Sequence, residues 1–186
     1  EPLITSSFQS NKIIGLGEVL KKEGYSTHFF HGGENGTMFF DSFSKRIGFD
    51  YYYGLNEYPY PERDFDGSWG VLDEPFFQYT ARQLSQVKKP FLAVLFSLSS
   101  HQPYFVPSEY RDQFPKGTLE IHQSIGYADY SLRKFFESIQ KEAWYKNTLF
   151  VITADHTQKS DQIQYQDELG PFRVPLILYH PTEKLP

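Results

Sequence analysis

Asp155 and His156 stand next to each other at the end of an uncharged, β-branched and aromatic run, Thr148-Leu149-Phe150-Val151-Ile152-Thr153-Ala154. A carboxylate beside an imidazole is a mixed hard and borderline donor pair, suited to Mn²⁺ or Zn²⁺. On its own the dipeptide reads as a helix cap followed by a surface histidine. Two further histidines change that reading. His31 follows the apolar stretch Tyr25 to Phe30, and His101 sits in Ser99-Ser100-His101-Gln102-Pro103 after Phe91 to Leu98. In an open α/β sheet, ligands gather outside the carboxyl ends of the strands, so three loops of this kind converge if their strands run parallel. His28, His122 and His180 lack that placement.

Around these positions, helical and strand patterns alternate. Ile13, Ile14, Leu16, Val19 and Leu20 predict a helix over 11–23, with Ser10 or Asn11 as N-cap and Gly24 past its end. A strand to His31, a helix over 35–47 and a short strand over 49–53 follow, the alternation of a parallel sheet. Residues 54–70 form a long aperiodic loop rich in Tyr, Pro and Asp, read as a functional surface loop or a poorly ordered one. Asp73 is expected to cap a helix with Pro75 in its first turn, running to about Lys88. Ile121, Ile125, Ala128, Leu132, Phe135 and Ile139 predict an amphipathic helix over 118–141. A last strand is expected from Val174 to Tyr179. The expected fold is three-layer α/β/α around a mostly parallel sheet of about five strands.

Composition narrows the function. The chain has 186 residues, a formal net charge of −5 and 18% aromatic side chains, so it can bury a core and offers no basic footprint for nucleic acid. It has no cysteine, which excludes disulfides, thiolate metal sites and cysteine nucleophiles. The longest wholly apolar run, Phe91 to Phe96, is too short to cross a bilayer. Glu1-Pro2 opens the chain without an initiator methionine or signal peptide, so it reads as an excised piece whose membrane anchor lies elsewhere.

Taken in order, several of these segments resemble the alkaline-phosphatase-like sulfatase superfamily, and most closely its lipoteichoic acid synthase (phosphoglycerol transferase) branch. They are Leu20-Lys21-Lys22-Glu23-Gly24-Tyr25-Ser26-Thr27 leading to Phe30-His31-Gly32-Gly33, and Ile47-Gly48-Phe49-Asp50. Trp69-Gly70, Asp73, Ser99-Ser100-His101-Gln102-Pro103-Tyr104 and Ile152-Thr153-Ala154-Asp155-His156 complete the set. The resemblance implies an alkaline-phosphatase-like fold, here truncated at both ends, so that residues 1–186 make a partial catalytic domain. It also implies an extracytoplasmic enzyme, membrane-anchored through parts of the parent outside this chain. A hydroxyl nucleophile would form a covalent intermediate on a phosphoester or sulfate ester of a phospholipid or glycan. The metal would be Mn²⁺, with Zn²⁺, Mg²⁺ or Ca²⁺ as alternatives.

By position, the resemblance makes Asp155 and His156 metal ligands and His101 the catalytic histidine at the transferred phosphate or leaving group. His31 would line the head-group pocket and Ser160 would contact substrate. Trp69 is read either as a plug for the 54–70 loop or, with that loop, as a rim for a sugar or lipid head group. Two departures from the branch stand out. Its nucleophile and a further acidic ligand precede the first helix, where this chain has only Thr5, Ser6 and Ser7 close by. The isolated chain is therefore expected to bind metal weakly and to lack turnover. Where the phosphoglycerol transferases carry a tryptophan and an arginine, this chain has Met38 and Phe40, leaving Arg46, Arg63 or Lys159 to supply charge. The alternatives are a true sulfatase and a non-catalytic module that binds envelope glycans. Missing edge elements would expose apolar surface, so dimerisation of the fragment is a secondary expectation.

Overall fold

A computed structural model describes residues 3–88, 90–158 and 160–185. Helix α1 (Leu16–Lys22) leads into strand β1 (Ser26–His31), then come α2 (Phe40–Arg46) and β2 (Tyr51–Tyr53). The short α3 (Pro61–Asp64) precedes α4 (Asp73–Leu84), β3 (Phe91–Phe96) and the long α5 (Ile121–Ile139). Strands β4 (Phe150–Thr153) and β5 (Leu176–Tyr179) close the chain.

Strands β2, β1 and β3 form a parallel sheet in that order, with His31 opposite Phe96 and Phe30 opposite both Tyr53 and Leu95. The pleat sends alternate side chains of β1 to opposite layers. Phe30 joins Tyr58, Val71, Phe76, Tyr79 and Leu84 in the main core, so this face packs on α4. Phe29 turns the other way, toward Phe40 of α2 and Phe49. The sheet is thus sandwiched between α2 and the α4–α5 pair, the expected three layers.

The single five-stranded sheet is not observed. β4 pairs with β5 alone, antiparallel, as a separate ribbon with Thr153 opposite Leu176. A parallel return needs a crossover of a dozen or more residues, usually helical. Between β4 and β5 the described residues hold only single 3₁₀ turns, so the chain doubles back instead. The apolar run of β3 suggested a strand covered on both sides, yet its residues are only partly buried, because β1 is its one partner.

Other differences are local. Helix α1 starts at Leu16 with Gly15 as N-cap, not at Ser10 or Asn11. Its first turn rests on the bend after α2, where Glu18 N–H donates to Ile47 O at 3.2 Å. Gly48, at φ +99°, lies against the Glu18 backbone, where any side chain would collide. On α5 the buried face is Ser124, Tyr127, Ser131, Phe135 and Ile139 rather than the full aliphatic stripe. Ser124 and Ser131 return their hydroxyls to the Ile121 and Tyr127 carbonyls, which lets small polar residues face α4 without unpaired groups. Ile121 and Ile125 are left facing a cleft.

The 54–70 loop is ordered. Tyr58 is buried in the main core and its hydroxyl donates to the buried Asp64 carboxylate. Arg63 holds the same carboxylate at 2.7 Å.

Candidate functional site

A cleft of about 680 Å³ lies between the exit of β3 and the end of β4. Ser97, Leu98, Ser100 and His101 line one side, and Thr153, Ala154, Asp155 and His156 the other. Ser160 and Arg173 come from the long connection to β5, and His122 from the start of α5. The cleft therefore gathers His101, Asp155, His156 and Ser160 although β4 is not part of the parallel sheet.

Among the described residues no α-helix follows Asp155 and the first 3₁₀ turn begins only at Ile163, so the capping reading of that residue falls. His156 Nε2 lies 3.4 Å from Asp155 Oδ2, which brings the two donors toward one point. His156 Nδ1 is 2.9 Å from the Thr157 carbonyl. A carbonyl can only accept, so Nδ1 is the nitrogen that carries a proton here, and Nε2 is the one turned toward Asp155. A histidine whose second nitrogen is held by a backbone carbonyl is the usual arrangement of a metal ligand. The donor count falls short, however: among the described residues no group of three His, Asp or Glu side chains is placed to hold an ion. The chain supplies two donors of the right chemistry, not a closed site.

His101 has the same wiring. Its Nδ1 is 2.9 Å from the Gln102 carbonyl, so Nδ1 donates there and Nε2 is left to exchange a proton in the cleft. Trp69 packs on this imidazole with ring centroids 4.1 Å apart, and its indole N–H donates to the same Gln102 oxygen at 2.7 Å. Trp69 is itself held by Asp66, whose Oδ1 accepts from the Ser68 and Trp69 amides at 2.7 Å and from Gly70 at 3.1 Å. Gly70 then crosses Gly32 so closely that a Cβ would strike the Gly32 carbonyl. Val71 N–H bonds that carbonyl at 3.0 Å. Trp69 is thus a brace on His101 and does not itself line the cleft.

His31 ends elsewhere. It shares the pleat direction of Phe29 and so enters the α2 layer, where it is 1% exposed. Phe40 stacks on it at 4.3 Å and Tyr52 Oη lies 3.1 Å from Nδ1. Burial pushes its pKa down to about 4, so the ring is neutral. It sits beside the cleft, under Phe40, and lines no part of it.

Of the expected cations, Arg46 bonds the Asn11 carbonyl and Arg63 pairs with Asp64, both away from the cleft, while Lys159 lies outside the described residues. Arg173, which the sequence reading passed over, reaches the cleft and is tied to Asp167 at 2.8 Å. His122 lacks a strand-end placement, yet it lines the cleft, its Nδ1 accepting the Thr118 and Leu119 amides at 3.0 and 3.2 Å. Its place four residues after Thr118, at a helix start, was a usable signal. Arg173, in an aperiodic Pro-Phe-Arg segment, gave none.

Comparison with known proteins identifies the family and the fold. A family model described as Sulfatase matches residues 5–186. Lipoteichoic acid synthase 1 of Bacillus subtilis is 28% identical over 147 residues, covering 76% of this chain and 23% of that protein. Phosphoglycerol transferase I of Citrobacter koseri is 27% identical over 164 residues, covering 82% of this chain and 21% of that protein. A solved alkaline phosphatase superfamily protein from Vibrio parahaemolyticus superposes with a TM-score of 0.81 at 27% identity, covering 97% of this chain and 44% of that one. The chain thus spans about a quarter or less of the curated relatives and under half of the solved structure.

Proposed function

We infer, because the chain belongs to the sulfatase family, that it is part of a phosphoryl- or phosphoglycerol-transferring catalytic domain acting on cell-envelope phosphoesters. The observation that carries this reading is the cleft in which His101 shares walls with the Asp155–His156 pair. The relatives named as lipoteichoic acid synthase and phosphoglycerol transferase favour a phosphoester over a sulfate ester.

In this reading Asp155 and His156 take two positions on a divalent cation, Mn²⁺ by the mixed donor set. Such a cation, when bound, lowers the pKa of a hydroxyl nucleophile and offsets charge on phosphoryl oxygens. Since these residues alone do not close a metal site, the reading takes the remaining ligands and the nucleophile from beyond this chain. His101 handles the proton: Nδ1–H stays on the Gln102 carbonyl while Nε2 exchanges a proton with the ester oxygen that leaves or arrives. Ser160 borders the bound head group, Trp69 acts on it only through His101, and His31 lies behind Phe40. The domain works outside the cytoplasm, anchored through other parts of the protein; among the described residues no helix is long and apolar enough to cross a membrane.

The test is turnover of a glycerophosphodiester and of an aryl sulfate by the full-length protein with Mn²⁺. Asp155→Ala and His156→Ala are each expected to lower phosphodiester cleavage by about 10³-fold or more, and His101→Ala by about 10²- to 10⁴-fold. Full activity in both ligand variants sinks the assignment. Preference for the aryl sulfate moves the protein to the sulfate-hydrolysing alternative, and glycan binding indifferent to chelators, without turnover, to a binding module.

A further inference from the structure

One buried carboxyl has no part in the proposed chemistry. Asp73, the first residue of α4, is 1% exposed, yet its side chain does not cap its own helix. It reaches across to the exit of β3, where Oδ1 accepts from the Leu98 amide at 2.8 Å and from the Ser99 amide at 3.1 Å. The bond is reciprocated, because Asp73 N–H donates to Ser99 Oγ at 3.0 Å. Leu98 O in turn accepts from the His101 amide at 2.9 Å, so a single relay runs from the carboxylate to the histidine backbone.

Oδ2 of Asp73 has no hydrogen-bond partner among the described residues. The charged or titratable groups around it are Asp66, Tyr127 and its neighbour Glu74, none of them a cation. Burying a carboxylate without a counter-charge is costly, and core packing alone gives no reason for it. What the carboxylate adds is a pair of charge-assisted bonds, shorter and stiffer than neutral ones, at the point where the loop leaves the strand.

We propose that Asp73 is the positioning residue for His101: through the Leu98 and Ser99 amides it sets the angle at which the 97–104 loop leaves β3, and with it where the imidazole enters the cleft. The Asp66–Trp69 brace holds the same loop from the other side, at Gln102. His101 is therefore fixed at both ends of its turn, as a reacting group must be to keep its geometry within about half an ångström. The proposal rests on the reading above only for what His101 does to substrate; the positioning itself can be read without turnover.

The test is nuclear magnetic resonance on the 186-residue chain, following the Leu98 and Ser99 amides, the His101 ring and the Trp69 indole N–H. In the unmodified chain the two amide protons are expected to titrate together as Asp73 takes up its proton, which burial, outweighing the Leu98 and Ser99 bonds, raises to about pH 6. Asp73→Asn, which keeps an acceptor oxygen, should hold the His101 and Trp69 signals in place and abolish that titration. Asp73→Ala should speed exchange of the two amides about tenfold or more and move the His101 and Trp69 signals, while α4 and α5 amides stay protected. Should the alanine variant unfold, Ser99→Ala serves instead, with a smaller shift in the same signals. Unmoved His101 and Trp69 signals in Asp73→Ala, or in Ser99→Ala where that stands in for it, overturn the proposal. So does the absence of the amide titration in the unmodified chain. Correct signals in a protein that fails the turnover test would leave the positioning intact and remove only the function.

Discussion

The two strand systems of this molecule are built from the same kinds of residues and end up in opposite surroundings. β1 is buried along nearly its whole length, with Phe30 at 0% exposure between α4 and its neighbours. β5, Leu176-Ile177-Leu178-Tyr179, is as apolar, yet every residue in it is exposed, Leu178 at 52%. β4 alternates between half-buried and exposed. One system has its central strand closed into a core, with half-buried strands beside it, and the other is a ribbon whose apolar side chains face outward. Hydrophobicity in a strand reports that the strand needs cover; it does not say what covers it. The functional consequence is direct, since the parallel sheet leads to His101 while the thinly covered ribbon carries Asp155 and His156.

The sharpest contrast is in stability. Phe30→Ala should cost about 3–5 kcal/mol, the range for truncating a fully buried aromatic. Leu178→Ala should cost under about 1 kcal/mol, because little of that side chain is withdrawn from water. Urea denaturation of both variants measures the difference, and equal losses would remove the distinction between the two regions.

The second prediction concerns pH and the sheet side alone. Burial holds His31 near pKa 4, below its ordinary 6.5, so its stabilising contribution is present above about pH 6.5 and is lost as pH falls toward 4. Asp73 goes the other way. Its pKa is raised from 3.8 to about 6, so its contribution is present below about pH 4 and is lost as pH rises through 6. Each shift corresponds to about 3 kcal/mol, and the two oppose each other over the same window. His31→Gln should therefore become more stable on acidification from pH 6.5 to 4.5, and Asp73→Asn less stable. Urea midpoints at the two pH values check the crossing, and parallel profiles would contradict it.

The third and smallest effect belongs to the ribbon. If its apolar face is sticky, the chain should self-associate, and Val151→Thr with Leu178→Thr should shift it toward monomer in size-exclusion chromatography at a cost under about 1 kcal/mol of stability. A monomer at every concentration, before and after substitution, would show that the exposed strand faces do not attract one another.

Much of this was legible in the sequence, for reasons that differ by region. The alternation of periods gave β1, β3, α4 and α5 within a few residues; β3 and α5 carry clear apolar patterns, whereas β1, mostly polar, was legible from its place between Gly24 and Gly32-Gly33. What failed were statements about partners. Asp73 looked like a cap for the helix it begins, and its carboxylate instead caps a strand exit 25 residues later at Leu98. His31 has the same local signature as His101, yet the pleat turns it under Phe40 while His101, lying in a loop beyond its strand, reaches the cleft. Strand β5 was recognised but not its direction, which depends on a connection without helical period.

The most direct measurement is paramagnetic broadening of histidine ring resonances by substoichiometric Mn²⁺ in the isolated chain. Weak binding should broaden His156 first and His101 next, while His180, at the far end of the ribbon beside the Phe150–Tyr179 pair, stays sharp. Asp155→Ala should abolish the effect. Broadening spread evenly over all the histidines, or strongest at His180, would contradict the account, because His101 and the Asp155–His156 pair would then not share one cation-facing cleft.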